Sequence, residues 1–361
     1  MNEKYPEIKI NLLAVKENYR TICRLLVGGP IVSAMVKNDA YGLGAQRISC
    51  SLYEAGCRDF WVAYIQEALD IRNVLPPDAN VYYLQGFCHT DLELLPANNI
   101  VPVINSLPEF NVVKNKGLRF VLHVDTGLTR LGMRRRDLDA ILPNLAQEQI
   151  LYVISHLANE YGGQHDWQQK RNFDEILAKI LNVTCVKESL TASNVLNLDE
   201  SFHYDLVRVG AFLYGIQGGG IRPLNVLTIK AKILQMYDVP KGTCIGYGAT
   251  HVTDRKTKVA IISIGYGDGI KRQLSNVGNV LFYDSNKNLY KARILGNISM
   301  DSMACDITDV SSGVAVEGAD AILIDDTYTI NDMANAAQTI PYEILTSINF
   351  KSKRIKLTYV E

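Results

Sequence analysis

Ile31-Val32-Ser33-Ala34-Met35-Val36-Lys37-Asn38-Asp39-Ala40-Tyr41-Gly42-Leu43-Gly44 decides how this chain is read. An apolar, β-prone run ends at a lysine, a tyrosine and two glycines follow, and residues 45–55 then carry apolar side chains at helical spacing. The unit repeats along the chain. Strand-like segments are read at 31–36, 59–64, 81–84, 101–104, 119–124, 151–155, 184–190 and 206–210, with helix-length segments such as 45–55, 138–147 and 166–180 between them. Asp166 is placed as the cap of the last helix. Short strands alternating with amphipathic helices imply parallel pairing through crossovers, and eight such units predict an α/β fold, a TIM-like (β/α)8 barrel. Before them, residues 9–26 read as an opening strand and a helix.

The rhythm changes after Gly218-Gly219-Gly220 and Arg222-Pro223. Segments 226–236, 258–264, 278–283, 291–295 and 321–324 are strand-like, and a helix is expected only at 330–339. The prediction is a barrel domain over 1–222 and a mostly β domain over 223–361, joined by the glycine run.

Composition excludes several functions. With 37 Lys plus Arg against 38 Asp plus Glu, the net charge of −1 offers no footprint for nucleic acid or an anionic membrane. Apolar runs such as 259–264 fall far short of the roughly 18 residues of a membrane-spanning helix. Residues 1–10 hold no apolar signal-peptide core, so the expected location is the cytoplasm, for the chain itself or as the cytosolic domain of a longer membrane-attached polypeptide. Seven cysteines without a C-x-x-C pair suggest neither disulfides nor a metal site, and reduced, mostly buried thiols are expected.

In a parallel barrel, reactive side chains gather where strands end. Lys37 stands at such an end, and a lysine desolvated by an apolar strand has the lowered pKa that Schiff-base chemistry needs. A surface lysine in a βα loop is the commoner fate of a lone one. Lys37 is not alone, however. The nonamer Val36 to Gly44 closely resembles the pyridoxal-phosphate motif of alanine racemases, and four further segments resemble that family's motifs in order. They are His123-Val124-Asp125-Thr126-Gly127-Leu128-Thr129-Arg130-Leu131-Gly132; Asp205-Leu206-Val207-Arg208-Val209-Gly210 with Leu213-Tyr214-Gly215; Ile245-Gly246-Tyr247-Gly248-Ala249-Thr250; and Ile298-Ser299-Met300-Asp301. Between the last two lies Gly265-Tyr266-Gly267-Asp268-Gly269.

The resemblance covers essentially the whole chain and is closest in kind to the racemase modules of serine/alanine racemases associated with vancomycin resistance. It implies pyridoxal 5'-phosphate as cofactor, a small amino acid (alanine or serine) as substrate, a cell-wall role, and a head-to-tail homodimer with shared sites. Lys37 would hold the cofactor and serve one face of the substrate α-carbon, and Tyr247 of the partner subunit would serve the other. A phenol has a reference pKa of about 10, so Tyr247 would need help from positive charge or hydrogen bonds. Arg208 would bond the pyridine nitrogen without protonating it, which limits electron withdrawal and side reactions. His156 would orient Arg208. Arg130 would contact the cofactor's phenolic oxygen and the substrate carboxylate, with Met300, Asp301 and Tyr266 on the substrate side. Tyr41, the backbone at Val209 and Gly210, and Ser193 or Asn194 would hold the phosphate. Singly, Tyr247 would read as a core tyrosine of a strand, His156 as a satisfied barrel histidine, and Met300-Asp301 as a turn.

Three positions depart from the family pattern. His123 stands where many members carry a lysine, often carbamylated, so the support of Arg130 has to come from elsewhere, from a bound anion or a carboxylate such as Asp301. The family's Asn-Ser is reversed as Ser193-Asn194. Where the family's last motif has a tyrosine, Ser347-Ile348-Asn349-Phe350-Lys351-Ser352-Lys353-Arg354 offers Phe350, or Asn349 after a one-residue shift. An asparagine there would open the pocket and give a substrate hydroxyl a partner, favouring serine alongside alanine. A decarboxylase of the same architecture and a non-catalytic pyridoxal-phosphate-binding protein are the competing readings.

Overall fold

The structure, a computed structural model, describes residues 5–26, 28–86, 89–218, 220–348 and 354–361. The chain divides into one unit spanning Val15–Pro223 and a second made from the segment up to Ala14 together with Leu224–Glu361.

Strand β1 (Glu7–Asn11) and the helix Leu12–Leu25 precede eight parallel strands: β2 (Ile31–Met35), β3 (Asp59–Val62), β4 (Asn80–Tyr83), β5 (Ile100–Ile104), β6 (Arg119–His123), β7 (Gln149–Ile154), β8 (Lys187–Ser189) and β9 (Leu206–Val209). Their order is β8-β7-β6-β5-β4-β3-β2-β9. The last seam, between β8 and β9, is joined by Asp205 N–H to Glu188 O (3.1 Å), Arg208 N–H to Thr191 O (3.1 Å) and Ser189 Oγ to Leu206 O (2.5 Å). The TIM-like barrel read from the sequence is therefore present, with a nearly closed sheet.

Strands buried on both faces, such as β3, are what a parallel sheet covered by helices requires. Inside, Trp61 stacks on Tyr82 at 4.2 Å between ring centroids and donates its Nε1–H to Ser33 Oγ (3.0 Å). Outside, Phe110, Leu138, Ile141, Phe173, Ile176 and Leu177 pack from the helices onto Phe120, Leu122 and Val153. Each such side chain contributes about 1.5–3 kcal/mol on burial, which holds the strand ends in place. The helix read at 166–180 spans Gln164–Leu181. Asp166 is not its N-cap; it lies one turn inside and accepts the N–H groups of Glu160 (3.3 Å), Tyr161 (3.0 Å) and Gly163 (3.2 Å).

The second unit is mostly β. It contains β10 (Leu227–Val239), the small pair β11 (Cys244–Ile245) and β12 (His251–Val252), then β13 (Thr257–Ile262), β14 (Asn279–Tyr283), β15 (Leu289–Leu295), β16 (Met303–Asp306), β17 (Asp320–Ile324) and β18 (Lys356–Val360). The order β13-β16-β15-β14-β17-β10 closes on itself because β10 also pairs with β13. A register shift between Ile233 and Gln235 lets the long β10 leave β17 and reach β13, the usual service of a bulge.

Three expectations change. Strand β1 does not open the barrel: it runs antiparallel to β10 and parallel to β18, with Ile8 and Ile10 fully buried, so the second unit begins with this segment rather than at residue 223. The strands β16 and β18 and the helix Pro341–Ser347 are additional to those read from the sequence. Among the six described cysteines, all free, only Cys57 and Cys305 are buried, while Cys185 and Cys244 are exposed. Among the described residues, no helix is long and apolar enough to cross a membrane.

Candidate active site

Strand β2 delivers Lys37 to the end of the barrel, with the Val36 N–H bonded to Trp61 O (2.8 Å). The chain then turns left-handed for four non-glycine residues, Asn38, Asp39, Ala40 and Tyr41, at φ between 53° and 58°. That conformation costs roughly 1–2 kcal/mol per residue and persists only where its surroundings hold it. Here the Asn38 N–H donates to Glu67 Oε1 (2.5 Å), the Ala45 N–H to Asp39 Oδ1 (2.7 Å), and the Gly42 N–H to Asn38 O (2.8 Å).

The turn carries Tyr41 against Gly210, where a Cβ would stand 2.6 Å from the tyrosine oxygen. The Tyr41 ring packs on Tyr214 (4.8 Å between centroids), whose hydroxyl donates to Met35 O (2.7 Å). From the other side, Ser193 Oγ accepts the Gly210 N–H (2.8 Å). Asn194 turns elsewhere: its Oδ1 occupies the space that a Cβ on Gly218 would need. Of the reversed pair, it is thus the serine that meets Gly210. The buried Glu160 carboxylate holds this loop through the N–H groups of Ala192 (2.5 Å) and Asn194 (3.2 Å). Tyr41, Ser193 and Gly210 consequently converge, beside the buried end of β9 at Val209.

Arg208 is buried on β9 and donates to Ser189 Oγ, Ser155 O and Leu190 O (3.2 Å for the last). All three acceptors are neutral. Burial, with the Arg130 charge adding to it and Glu160 opposing, brings its pKa down to about 10, still protonated at neutral pH. His156 contributes its carbonyl to Gln169 Nε2 (3.1 Å). Its ring lies well below the ordinary histidine pKa, because of burial first and then Arg208 and Arg130. The anchors of Arg208 come from the ends of β7, at Ser155 directly before His156, and of β8, at Ser189 and Leu190.

His123 is a second neutral histidine, held down to about 3 by burial and by the charges of Arg208 and Arg130, with Asp125 opposing. Its tautomer follows from the network. Asn105 Nδ2 donates to Leu84 O (2.9 Å) and Val103 O (3.1 Å), so its Oδ1 must accept from His123 Nδ1–H (2.7 Å), leaving the lone pair on Nε2. Arg130 is exposed on the loop that follows, which Asp125 Oδ1 ties by accepting from Gly127 (3.0 Å) and Thr129 (3.1 Å). The Lys37 amine lies below the ordinary lysine pKa, because of burial and then Arg130, with Glu67 pulling the other way.

In the second unit, Tyr247 is 75% exposed, which excludes a place in the domain core. Its carbonyl accepts from Asn297 Nδ2 (2.8 Å). Segment 265–269 lies along 299–300, with the Tyr266 N–H on Ser299 O (3.0 Å) and the Gly267 N–H on Met300 O (2.9 Å). Met300 and Tyr266 are exposed beside it. Arg354 bonds both Asp301 and the buried Asp268 (3.0 Å), so Asp301 is engaged within its own unit. Asn349 and Phe350 lie outside the described residues.

Comparison with known proteins completes the picture. The family model "Alanine racemase, N-terminal domain" matches residues 10–218, and "Alanine racemase, C-terminal domain" matches residues 226–357. The chain belongs to the alanine racemase family. It is 35% identical over 378 residues to the alanine racemase of Brucella suis, covering 96% of this chain and 92% of the relative. It is also 35% identical over 364 residues to that of Rickettsia rickettsii, covering 96% and 98%. The crystal structure of alanine racemase from Bartonella henselae with covalently bound pyridoxal phosphate superposes with a TM-score of 0.89 at 35% identity, covering 99% of each chain. The enzyme from D-cycloserine-producing Streptomyces lavendulae gives 0.88 at 26% identity, covering 99% of this chain and 97% of that one.

Within this alanine racemase fold, the motif residues Lys37, Tyr41, Ser193, Arg208 and Gly210 meet at one end of the barrel. Glu67, Glu160, Ser155 and Ser189 hold the Lys37 loop, the Ser193 loop and Arg208 there, Asn105 fixes the neighbouring His123, and all five were missed. Only Glu67 carried a signal, an acid in the first turn of the helix Ile65–Arg72.

Proposed function

We propose that this chain interconverts L- and D-alanine, with Lys37 and the partner subunit's Tyr247 serving opposite faces of the α-carbon. It is an isomerase, an amino-acid racemase with pyridoxal 5'-phosphate as its cofactor. The observation that carries the reading is the convergence at the end of β9, where the Tyr41 hydroxyl lies against Gly210 and the Ser193 hydroxyl accepts the Gly210 N–H. Hydroxyls gathered at the ends of the last barrel strands are donors that suit a phosphate. The buried Arg208 offers a charged donor whose present acceptors are all neutral, as a pyridine nitrogen would be. Lys37, with its lowered pKa, is the amine that would hold the cofactor.

When bound, the cofactor withdraws electrons from the α-carbon and makes its C–H acidic. The residues of the chain do the rest. Lys37 Nζ takes or returns the proton on one face, and Tyr247 Oη does so on the other. Arg130 and the Met300 N–H are the donors proposed for the carboxylate, with Asp301, paired with Arg354, beside Met300, and Tyr266 borders the substrate. Arg130 and Arg208 bring positive charge to this end of the barrel, offset in part by Glu160 at Arg208, and His123 and His156 stay neutral beside them, which suits an anionic ligand. Tyr247, exposed on its own subunit, fits a role completed by a second copy in a head-to-tail homodimer. A cytoplasmic location is part of the reading.

Turnover of serine is a second reading, favoured by the sequence Asn349-Phe350, which has no tyrosine where the family's last motif carries one. It is the reading under which the chain would act as the racemases of vancomycin resistance do. Incubating the purified, cofactor-loaded protein with L-alanine and with L-serine, and resolving the enantiomers, tests both. D-alanine without D-serine would leave alanine racemisation alone; carbon dioxide in place of either would mark a decarboxylase.

A further inference from the structure

Glu67 belongs to the helix after β3, yet its carboxylate reaches the loop that bears Lys37. Oε2 accepts from Ala63 (2.8 Å) and Tyr64 (3.2 Å), which satisfies donors at the start of its own helix. Oε1 accepts from Asn38 (2.5 Å), the residue directly after Lys37 and the first of the left-handed run. Capping the helix requires only the first two bonds. The third pins a neighbouring loop where its backbone leaves ordinary geometry, and with it the Cα from which the lysine side chain departs.

The charged and titratable groups around the amine come from several elements. Arg130 faces it from the loop after β6, His156 from the loop after β7, and Glu67 from the helix after β3. On its own segment, Asp39 is bonded to Ala45 N–H. Burial and Arg130 push the amine toward its neutral form, and Glu67 opposes them. A lysine that only had to stay neutral would need no such carboxylate, whereas one that takes and returns a proton must reach both forms.

We infer that Glu67 is a positioning residue for Lys37: it fixes the lysine's backbone through the Asn38 N–H and so brings its carboxylate charge into the surroundings of the amine. The inference rests on the acid/base role proposed for Lys37. It is tested on the full chain as wild type, Glu67→Gln and Glu67→Ala. Glutamine keeps the shape, loses the charge, and presents an NH2 group to at least one of the three N–H donors.

With the cofactor removed, Lys37 is labelled by trace acetic anhydride across a pH series and read by peptide mass. The expected result for Glu67→Gln is a labelling midpoint moved to lower pH by about half a unit or more. Amide exchange across residues 36–44 should accelerate in both variants. In the loaded enzyme, kcat for alanine should fall about tenfold or more with KM held within about threefold. An unmoved labelling midpoint overturns the inference, including the case where Glu67→Ala merely melts at lower temperature. A wild type that racemises nothing while its midpoint still exceeds that of Glu67→Gln removes the proposed reaction but leaves the tuning of Lys37 by Glu67 standing.

Discussion

Gly210 and Tyr41 touch so closely that a Cβ on the glycine would lie 2.6 Å from the phenolic oxygen. The contact joins the end of the last barrel strand to the left-handed turn after the first, and the candidate phosphate site lies at that junction. Gly210→Ala should cost about 1–3 kcal/mol of stability through overpacking and weaken cofactor binding at least about tenfold. Adding Tyr41→Phe should restore part of the stability, since Met35 Cβ would still stand 3.0 Å from the new methyl, and little of the affinity, because the hydroxyl is gone. Thermal melting and cofactor titration separate the two effects.

Lys37→Ala should abolish the cofactor's Schiff-base absorbance. Tyr247→Phe should keep it and lose about 10²–10⁴-fold in turnover from the L side. At 75% exposure, Tyr247 contributes little to its own domain, so the melting curve of that variant should overlay the wild type within about 0.5 kcal/mol. L-to-D turnover that survives the substitution would mean another base.

The neutral His123 makes a thermodynamic prediction. Its folded pKa, about 3, lies below the unfolded value of 6.5, so between these values the unfolded chain takes up a proton that the folded one refuses. Stability should therefore be intact above about pH 6.5 and fall as pH drops, by up to about 1.4 kcal/mol per pH unit for each such group. His156 shifts the same way. Glu160, shifted upward by its burial, works in the opposite sense, but it is common to wild type and variant. Denaturant unfolding of His123→Gln between pH 6.5 and 4.5 should show a slope shallower by about one proton. Equal slopes would place a charged histidine in the folded state.

Arg354 supports Asp268, whose buried carboxylate otherwise bonds the Gly265 N–H (3.0 Å). Because Arg354 is itself 44% exposed, its removal should cost only about 1–2 kcal/mol rather than the larger penalty of a fully buried pair. Arg354→Leu should also raise KM for alanine more than it lowers kcat, since the turn it braces carries Tyr266. An unchanged KM would separate that turn from substrate binding.

The barrel was legible because most of its strands are short buried runs, two of them leading into Val36-Lys37 and Val209-Gly210, although β8, Lys187-Glu188-Ser189, is not such a run. Strand β18, Lys356-Leu357-Thr358-Tyr359-Val360, was not: it is half-exposed along its length and gains definition only by pairing with β1. The site was legible where residues act by their own chemistry. Glu67 and Glu160 act instead through backbone N–H groups on neighbouring loops, and no local pattern announces a bond between residues 29 or 32 positions apart. Ser193 was ambiguous against Asn194 for the same reason, since only the approach of Gly210 distinguishes them.

The pairing of β1 also orders the events of synthesis. Everything the barrel unit needs has left the ribosome once Pro223 has emerged, so that unit can fold while the remainder is still being made. Glu7, in contrast, waits for Lys230 on one side and Lys356 on the other. Throughout that interval β1 is an unpaired edge, open to mispairing and to chaperones. The domain that bears Tyr247 thus matures after the barrel, and racemase activity should appear only once β18 has joined β1 rather than with completion of the barrel.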